Sequence, residues 1–341
     1  MAYENSAFIP LDADEAFALV TQPDRLRRWQ AVTARVDLRA GGEYRWTIIP
    51  GHSARGTFTE IEPGRRVVFT WGWEGSAELP PGASTVIITL EPAPGGTTIR
   101  VVHEGLAGEQ ADSHAAGWAH YLGRLTEAAA KGDAGPDAWG AAPPQLDALT
   151  CAGATLAICQ RVLAGIGAAD AGQATPCTEF TVAQLADHLA GSITAIGGAA
   201  GAAFPAGTPA TLEARVADIG QAALEAWDRR GPEGTVTIGD SELPAAVALG
   251  ILSIELLVHA WDFAQARGQQ VTAPDPVTAY VLEAASKIIT PEGRRQAGFD
   301  PARPADPDAG VLERLIAFTG RPADASRRPT PAAADPPNPD R

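Results

Sequence analysis

Glu255, His259 and Asp262 stand in the stretch Ile251–Phe263, which is otherwise almost wholly apolar. At i, i+4 and i+7 they fall on one stripe of a helix. A carboxylate taken out of water is strongly disfavoured unless something compensates it, and a metal ion is one such partner. Glu255 and His259 would then be two ligands from one helix face, with Asp262 holding the histidine ring from behind. An ordinary Glu–His pair on a wetted face explains the same residues without a metal, at about 0.3–0.5 kcal/mol. Two ligands alone do not decide between these readings, because two ligands do not make a site.

A third ligand comes from a second predicted helix. Thr181 followed by Gln184 forms a capping box, and Phe180 with Leu185 supplies the flanking apolar staple. The pattern predicts a helix from Val182 toward Ile196, carrying Asp187 and His188. Alone, His188 reads as a hydrogen-bonded helix histidine. Beside Glu255 and His259 it completes two histidines and one carboxylate from two facing helices. That is the protein share of a catalytic zinc site, which keeps a fourth position open.

These helices sit in the second half of the chain. Leu146–Ile166 reads as an apolar-periodic helix, and Pro209–Arg230 as another, capped by Thr208 and stopped at Gly231-Pro232. With the Glu255 helix, preceded by Pro244 and followed by Gly268, this is a four-helix bundle pattern. Asp275-Pro276 opens a further helix to about Ile289, and Asp306-Pro307 opens one to Phe318.

Residues 1–130 read differently. A strand at Ser6–Ile9 precedes a helix at Asp12–Val20 and a short turn at Arg25–Trp29. About six strands follow, separated by Gly41-Gly42, Pro50-Gly51, Pro63-Gly64 and Pro94-Gly95-Gly96, before a long helix at Asp112–Ala130. That order suits a curved antiparallel sheet gripping its last helix. His103, His114 and His120 are its candidate polar groups, with Trp71, Trp73 and Trp118 as core or cavity wall. Residues 131–144 are a linker by composition, predicted to be open to proteolysis. Ala323–Arg341 is Pro-rich and predicted disordered.

Composition bounds the function classes. The 341 residues carry a net charge of −15, so no basic face is expected and nucleic acid is an unsuitable partner. Arg outnumbers Lys 24 to 2, which reads as coding bias. Cys151, Cys159 and Cys177 lack the number and spacing of a disulfide framework. Cys177 reads as a small buried residue and not as a nucleophile. The start of the chain has no charged-then-apolar signal, and no uninterrupted apolar run reaches 18 residues. The expectation is a soluble, cytoplasmic protein with no membrane partner; nothing here indicates its oligomeric state.

Two resemblances add to this. Ala16-Phe17-Ala18-Leu19-Val20, Arg28-Trp29, Gly41-Gly42-Glu43-Tyr44, the run Glu62–Trp71, and His103-Glu104-Gly105-Leu106 before His114–Trp118 resemble the START-like (SRPBCC) superfamily. The likeness is to the branch named after activators of a heat-shock-protein ATPase. It covers residues 1–130 and implies an α+β helix-grip domain whose cavity takes an apolar ligand. The segments Thr175–Val182, Leu185–Leu189 and Glu255–Asp262 resemble the mycothiol-dependent maleylpyruvate isomerase-like family, with its DinB-like metal-binding bundle. This covers about residues 146–322. It implies that His188, Glu255 and His259 are the metal ligands, with zinc the usual divalent ion. The isomerase proper has an α/β domain after its bundle; here two helices and the tail stand in its place, leaving Arg294 and Arg295 as candidate basic groups, or as surface arginines.

Three functions follow as expectations. One is a metal- and thiol-dependent isomerase or S-transferase, with mycothiol as thiol, acting on a small electrophilic compound. The second is a non-enzymatic protein that sequesters an apolar molecule. The third is a metal-water hydrolase.

Overall fold

The computed structural model describes residues 2–141, 143, 145–207, 209–296 and 299–322. The expected disorder of 323–341 therefore falls outside the described residues.

The first half folds as β1 (Tyr3–Ile9), α1 (Ala13–Thr21), α2 (Pro23–Leu26), β2 (Thr33–Val36), β3 (Glu43–Ile49), β4 (His52–Glu62), β5 (Arg66–Trp71), β6 (Ser84–Ala93), β7 (Gly96–Glu104) and α3 (Glu109–Lys131). The strands form one antiparallel sheet in the order β1-β7-β6-β5-β4-β3-β2. Register shifts between Thr47 and Ile49, and between Phe58 and Glu60, bend it. Alternate residues Tyr44, Trp46, Phe58, Phe69 and Trp71 face inward and are buried. Helix α3 lays Trp118, Tyr121, Leu122 and Leu125 into the same core. Burying each such side chain contributes about 1.5–3 kcal/mol.

Residues 131–144 were expected to be open to proteases, and among the described ones the structure differs. Arg124 donates to the carbonyls of Gly135 and Pro136 at 2.8 and 3.3 Å, and Ala134 N–H donates to Arg28 O at 3.1 Å. Asp133 receives Arg161 from the second half at 2.5 Å. A short helix α4 (Ala138–Ala141) stacks Trp139 on His120, with ring centroids 4.0 Å apart. Gly and Pro set the local backbone here, but side chains 10 to 30 residues away tie it down. Residues 131–141 should thus resist trypsin and a broad-specificity protease while the protein is folded, as peptide mapping would report. Rapid cleavage there would restore the compositional expectation.

The second half comprises α5 (Ala148–Ala164), α6 (Val182–Ala199), α7 (Leu212–Arg230), the hairpin β8 (Thr235–Ile238) and β9 (Ser241–Pro244), α8 (Ala245–Ala266), α9 (Asp275–Ile288), α10 (Pro291–Gln296) and α11 (Val311–Phe318). Helices α5 to α8 make the bundle. Two expected boundaries move. Helix α7 begins at Leu212 and is capped by the Thr211 hydroxyl, which accepts from Ala214 N–H; Thr208 lies outside the described residues. Helix α11 begins at Val311, because Asp306 instead turns its carboxylate back to Asp308 N–H at 2.9 Å. The hairpin and α10 were not anticipated.

Helix α8 is long and apolar enough to cross a membrane by composition, yet 78% of its most apolar window is buried within the protein. It packs against α5, α6 and α9. The two halves meet through polar groups. Glu213 of α7 bridges Arg27 at 3.3 Å and Arg28 more closely, and Gln160 donates to Val32 O at 3.2 Å.

Candidate metal centre

The Thr181 side chain accepts from Gln184 N–H, and the Gln184 side chain accepts from Thr181 N–H at 2.9 Å. This fixes the start of α6 and hence the place of His188, two turns on. Helix α8 brings Glu255 and His259 to face it. His188 Nε2 lies 3.1 Å, and His259 Nε2 3.7 Å, from Glu255 Oε2. One ligand atom from each residue lies within 4.8 Å of the others. Four ligands at about 2.1 Å from zinc stand about 3.4 Å apart, so the spacing suits one small cation.

Hydrogen bonding agrees. Glu255 Oε2 is buried and makes no well-oriented hydrogen bond, even to His188 Nε2 beside it. We therefore read their approach as charge attraction and not as a formed hydrogen bond. His259 Nδ1 lies 2.9 Å from Asp262 Oδ2. An ionised carboxylate only accepts, so Nδ1 carries a proton and Nε2 is the nitrogen that faces Glu255. Asp262 thus stands behind the histidine, where its spacing in the sequence placed it.

The charges point the same way. Burial would raise the Glu255 carboxyl, but His188, His259 and Ser192 outweigh it and hold it down to about 2. Glu255 in turn raises His188, against the opposing effect of its burial. The cluster is built to hold positive charge, either a proton on His188 or a cation. The three residues fit a divalent metal.

The surroundings define access. The His188 side chain is 38% exposed, against 6% for His259, so the open side lies at His188. Phe180 stacks on His188 at 5.1 Å. Cys177 reaches the other flank, near His259 and Asp262, and is half-buried. Burial pushes its thiol up to about 11, so it is a protonated thiol at neutral pH. A second grouping of Cys177, His259 and Asp262 suits a metal poorly, because both Asp262 oxygens are already engaged.

One residue of this region escaped sequence reading. Arg321 donates to both oxygens of Asp262. Arg294 and Arg295, the candidates named instead, point elsewhere: Arg294 donates to the Asp300 and Phe318 carbonyls, and Arg295 pairs with Glu292. The only signal for Arg321 was that a buried Asp262 needs a cation, which leaves its source open.

The first domain holds a separate cavity of about 160 Å³ between sheet and α3, lined by Ile48, Trp71, Trp73, His114, Trp118 and Tyr121, with Trp139 at its edge. His120 lies apart, paired with Asp137 at 2.9 Å. Indole N–H groups only donate. Trp118 therefore gives its proton to His103 Nδ1 at 3.1 Å, and Trp71 and Trp73 give theirs to His114 Nε2 at 3.3 and 3.2 Å. Both histidines are buried and neutral. Burial, with His114 nearby, pushes His103 down to about 3, and burial also lowers His114.

A depressed histidine pKa means the unfolded chain binds the extra proton first. The stability due to His103 is complete above pH 6.5 and declines toward pH 3, by about 1.4 kcal/mol per pH unit in that window. Denaturant unfolding at pH 7.5 and 5.0 should show a smaller acid loss in His103→Gln than in the native chain. Equal losses would mean His103 does not carry the effect.

The sequence matches the Mycothiol maleylpyruvate isomerase N-terminal domain over residues 152–264, and the Activator of Hsp90 ATPase homolog 1-like protein family over residues 10–130. An uncharacterised protein of Mycobacterium tuberculosis is 30% identical over 165 residues, which are 47% of this chain and 90% of that protein. An AHSA1-like protein of Rhizobium etli, solved by NMR, is 40% identical over 43% of this chain and 91% of its own, with a TM-score of 0.35. A crystal structure from the dynemicin biosynthetic locus is 24% identical, with a TM-score of 0.37; it shares 40% of this chain, which spans 50% of that one.

Proposed function

We propose that this chain, which belongs to the mycothiol maleylpyruvate isomerase N-terminal domain family and carries an Activator of Hsp90 ATPase homolog 1-like domain before it, is a metal-dependent enzyme that uses a low-molecular-weight thiol on a small electrophile. The observation that carries this reading is the convergence of His188, Glu255 and His259, with the buried Glu255 Oε2 between the two imidazoles. A divalent cation, zinc by its donor set, would supply an open fourth position at which a thiol is held as its reactive thiolate.

The chain's own groups do the rest. Asp262 keeps His259 Nε2 turned inward. The apolar faces of α6 and α8 limit water. His188 leaves one side open for the thiol and substrate. The family match supports mycothiol as the thiol and isomerisation or S-transfer as the outcome. The aromatic cavity of the first domain supports an apolar substrate or ligand held there.

The test is turnover of a panel of electrophiles, including cis-configured dicarboxylic acids, with and without zinc and mycothiol. Conversion that needs both supports the reading. Conversion that needs zinc alone would make the protein a metal-water hydrolase. Binding of apolar compounds without any conversion would make it a sequestering protein.

A further inference from the structure

Arg321 comes from outside the bundle and ends inside it. Its Nε lies 2.8 and 3.0 Å from the two Asp262 oxygens, and its Nη2 lies 2.7 Å from Oδ2. The arginine is 7% exposed and Asp262 is fully buried. The same Oδ2 accepts the His259 Nδ1 proton. The three side chains form one line of contact, from guanidinium to carboxylate to imidazole, ending at the Nε2 that faces Glu255.

The local backbone is shaped to deliver this arginine. Helix α11 ends at Phe318, and the chain reverses through Gly320 at φ +88°. A Cβ on Gly320 would stand 2.6 Å from Asp300 O, so a side chain does not fit there. Arg303 donates to the Gly320 carbonyl at 2.6 Å and holds the turn. The next residue is Arg321.

A buried carboxylate with one histidine for company would be free to rotate, which releases Nδ1 and lets the ring turn or switch tautomer. A planar guanidinium gripping both oxygens removes that freedom, which a lysine could not do as well.

We propose that Arg321 is a positioning residue of the metal centre: through Asp262 it holds His259 in the one tautomer and orientation that aim Nε2 at the cation. This rests on reading His188, Glu255 and His259 as the ligands. The rival account is a buried ion pair that serves folding alone.

Metal affinity separates the two. Chelator-stripped protein is titrated with zinc against a chromophoric competitor, and the cobalt form is followed by its visible spectrum. Arg321→Met should weaken zinc binding about 10–100-fold, the range for lost outer partners of a histidine ligand, and alter the cobalt bands. Arg321→Lys should lose less, because the charge stays while the two-pronged grip goes. Asp262→Asn should match Arg321→Met, and the double variant should be no weaker than either, since both act on one histidine. The double variant also leaves no unpaired charge, so it keeps the comparison available if Arg321→Met folds poorly. Zinc affinities of Arg321→Met and Arg321→Lys within about twofold of the native chain, or losses that multiply in the double variant, would overturn the role of Arg321. Failure of the native chain itself to bind zinc would instead remove the metal centre, and the inference with it.

Discussion

The His259→Ala protein should fold but hold no stoichiometric zinc, and should show no thiol-dependent turnover. Removing one of three protein ligands forfeits about 3 kcal/mol or more of the 10–16 kcal/mol seen for tight protein zinc sites, a loss on the order of a hundredfold to a thousandfold. The fold survives because the substitution opens only a small cavity, at about 1–2 kcal/mol. Asp262 keeps Arg321 as its partner, so no buried charge is orphaned. The rest of α8 remains packed against α5, α6 and α9. Metal analysis after dialysis, thermal unfolding and the thiol-dependent assay together check this. Full turnover in the alanine variant would show that His259 does not serve the chemistry.

Glu213→Ala should loosen the two halves from each other. Glu213 is 5% exposed and meets Arg27, which is 9% exposed, and Arg28. Burial already pulls the Arg27 guanidinium below its usual pKa, with Glu213 opposing that pull. Without the carboxylate, the buried Arg27 loses its ion-pair partner and keeps only the weaker attraction of Asp24 and Asp218, a change that costs about 3 kcal/mol. The cross-links that stay are Arg161 to Asp133 at 2.5 Å, Glu225 to Arg35 and Arg45 at 3.4 and 3.7 Å, Arg45 to Asp228 at 3.4 Å, and Gln160 to Val32 O, and none of them reaches Arg27. Calorimetry should resolve two unfolding steps, or a single step at a clearly lower temperature, and residues 131–141 should become open to protease. An unchanged melting temperature with the segment still resistant would show that the ion pair is idle.

Much of this was legible in the chain because it is local. Strand alternation around Gly-rich turns marks the sheet from Glu43 to His103. Thr181 and Gln184, three apart, specify the start of α6 through bonds they make to each other. Charges on one stripe of an apolar run single out Glu255, His259 and Asp262, and the structure brings the first two together with His188. The hairpin β8–β9 was locally encoded too, by Thr235–Ile238 alternating before Gly239-Asp240, but the strong helices on either side drew the reading past it.

What was not legible is long-range. Arg321 meets Asp262 across 59 residues, and nothing near Gly320 in the sequence names that partner. Asp133, in a stretch that reads as linker, pairs with Arg161 of α5. Thr211 caps α7 because its hydroxyl reaches the Ala214 amide three residues on, a matter of backbone path and not of residue type. Composition predicts how a segment behaves in isolation, whereas these contacts depend on where the fold carries it.

The central claim, that His188, Glu255 and His259 hold one divalent cation, is tested most directly by titrating zinc into chelator-stripped protein at several pH values. The expected result is one zinc per chain, with affinity that rises with pH. Glu255 raises the pKa of His188, so a proton competes for the same place at low pH and leaves as pH climbs. Replacing His188, Glu255 or His259 should each remove the tight site, and replacing His120, which pairs with Asp137 in the first domain, should not. Absence of a stoichiometric site in the native chain, or a site that survives all three replacements, would contradict it.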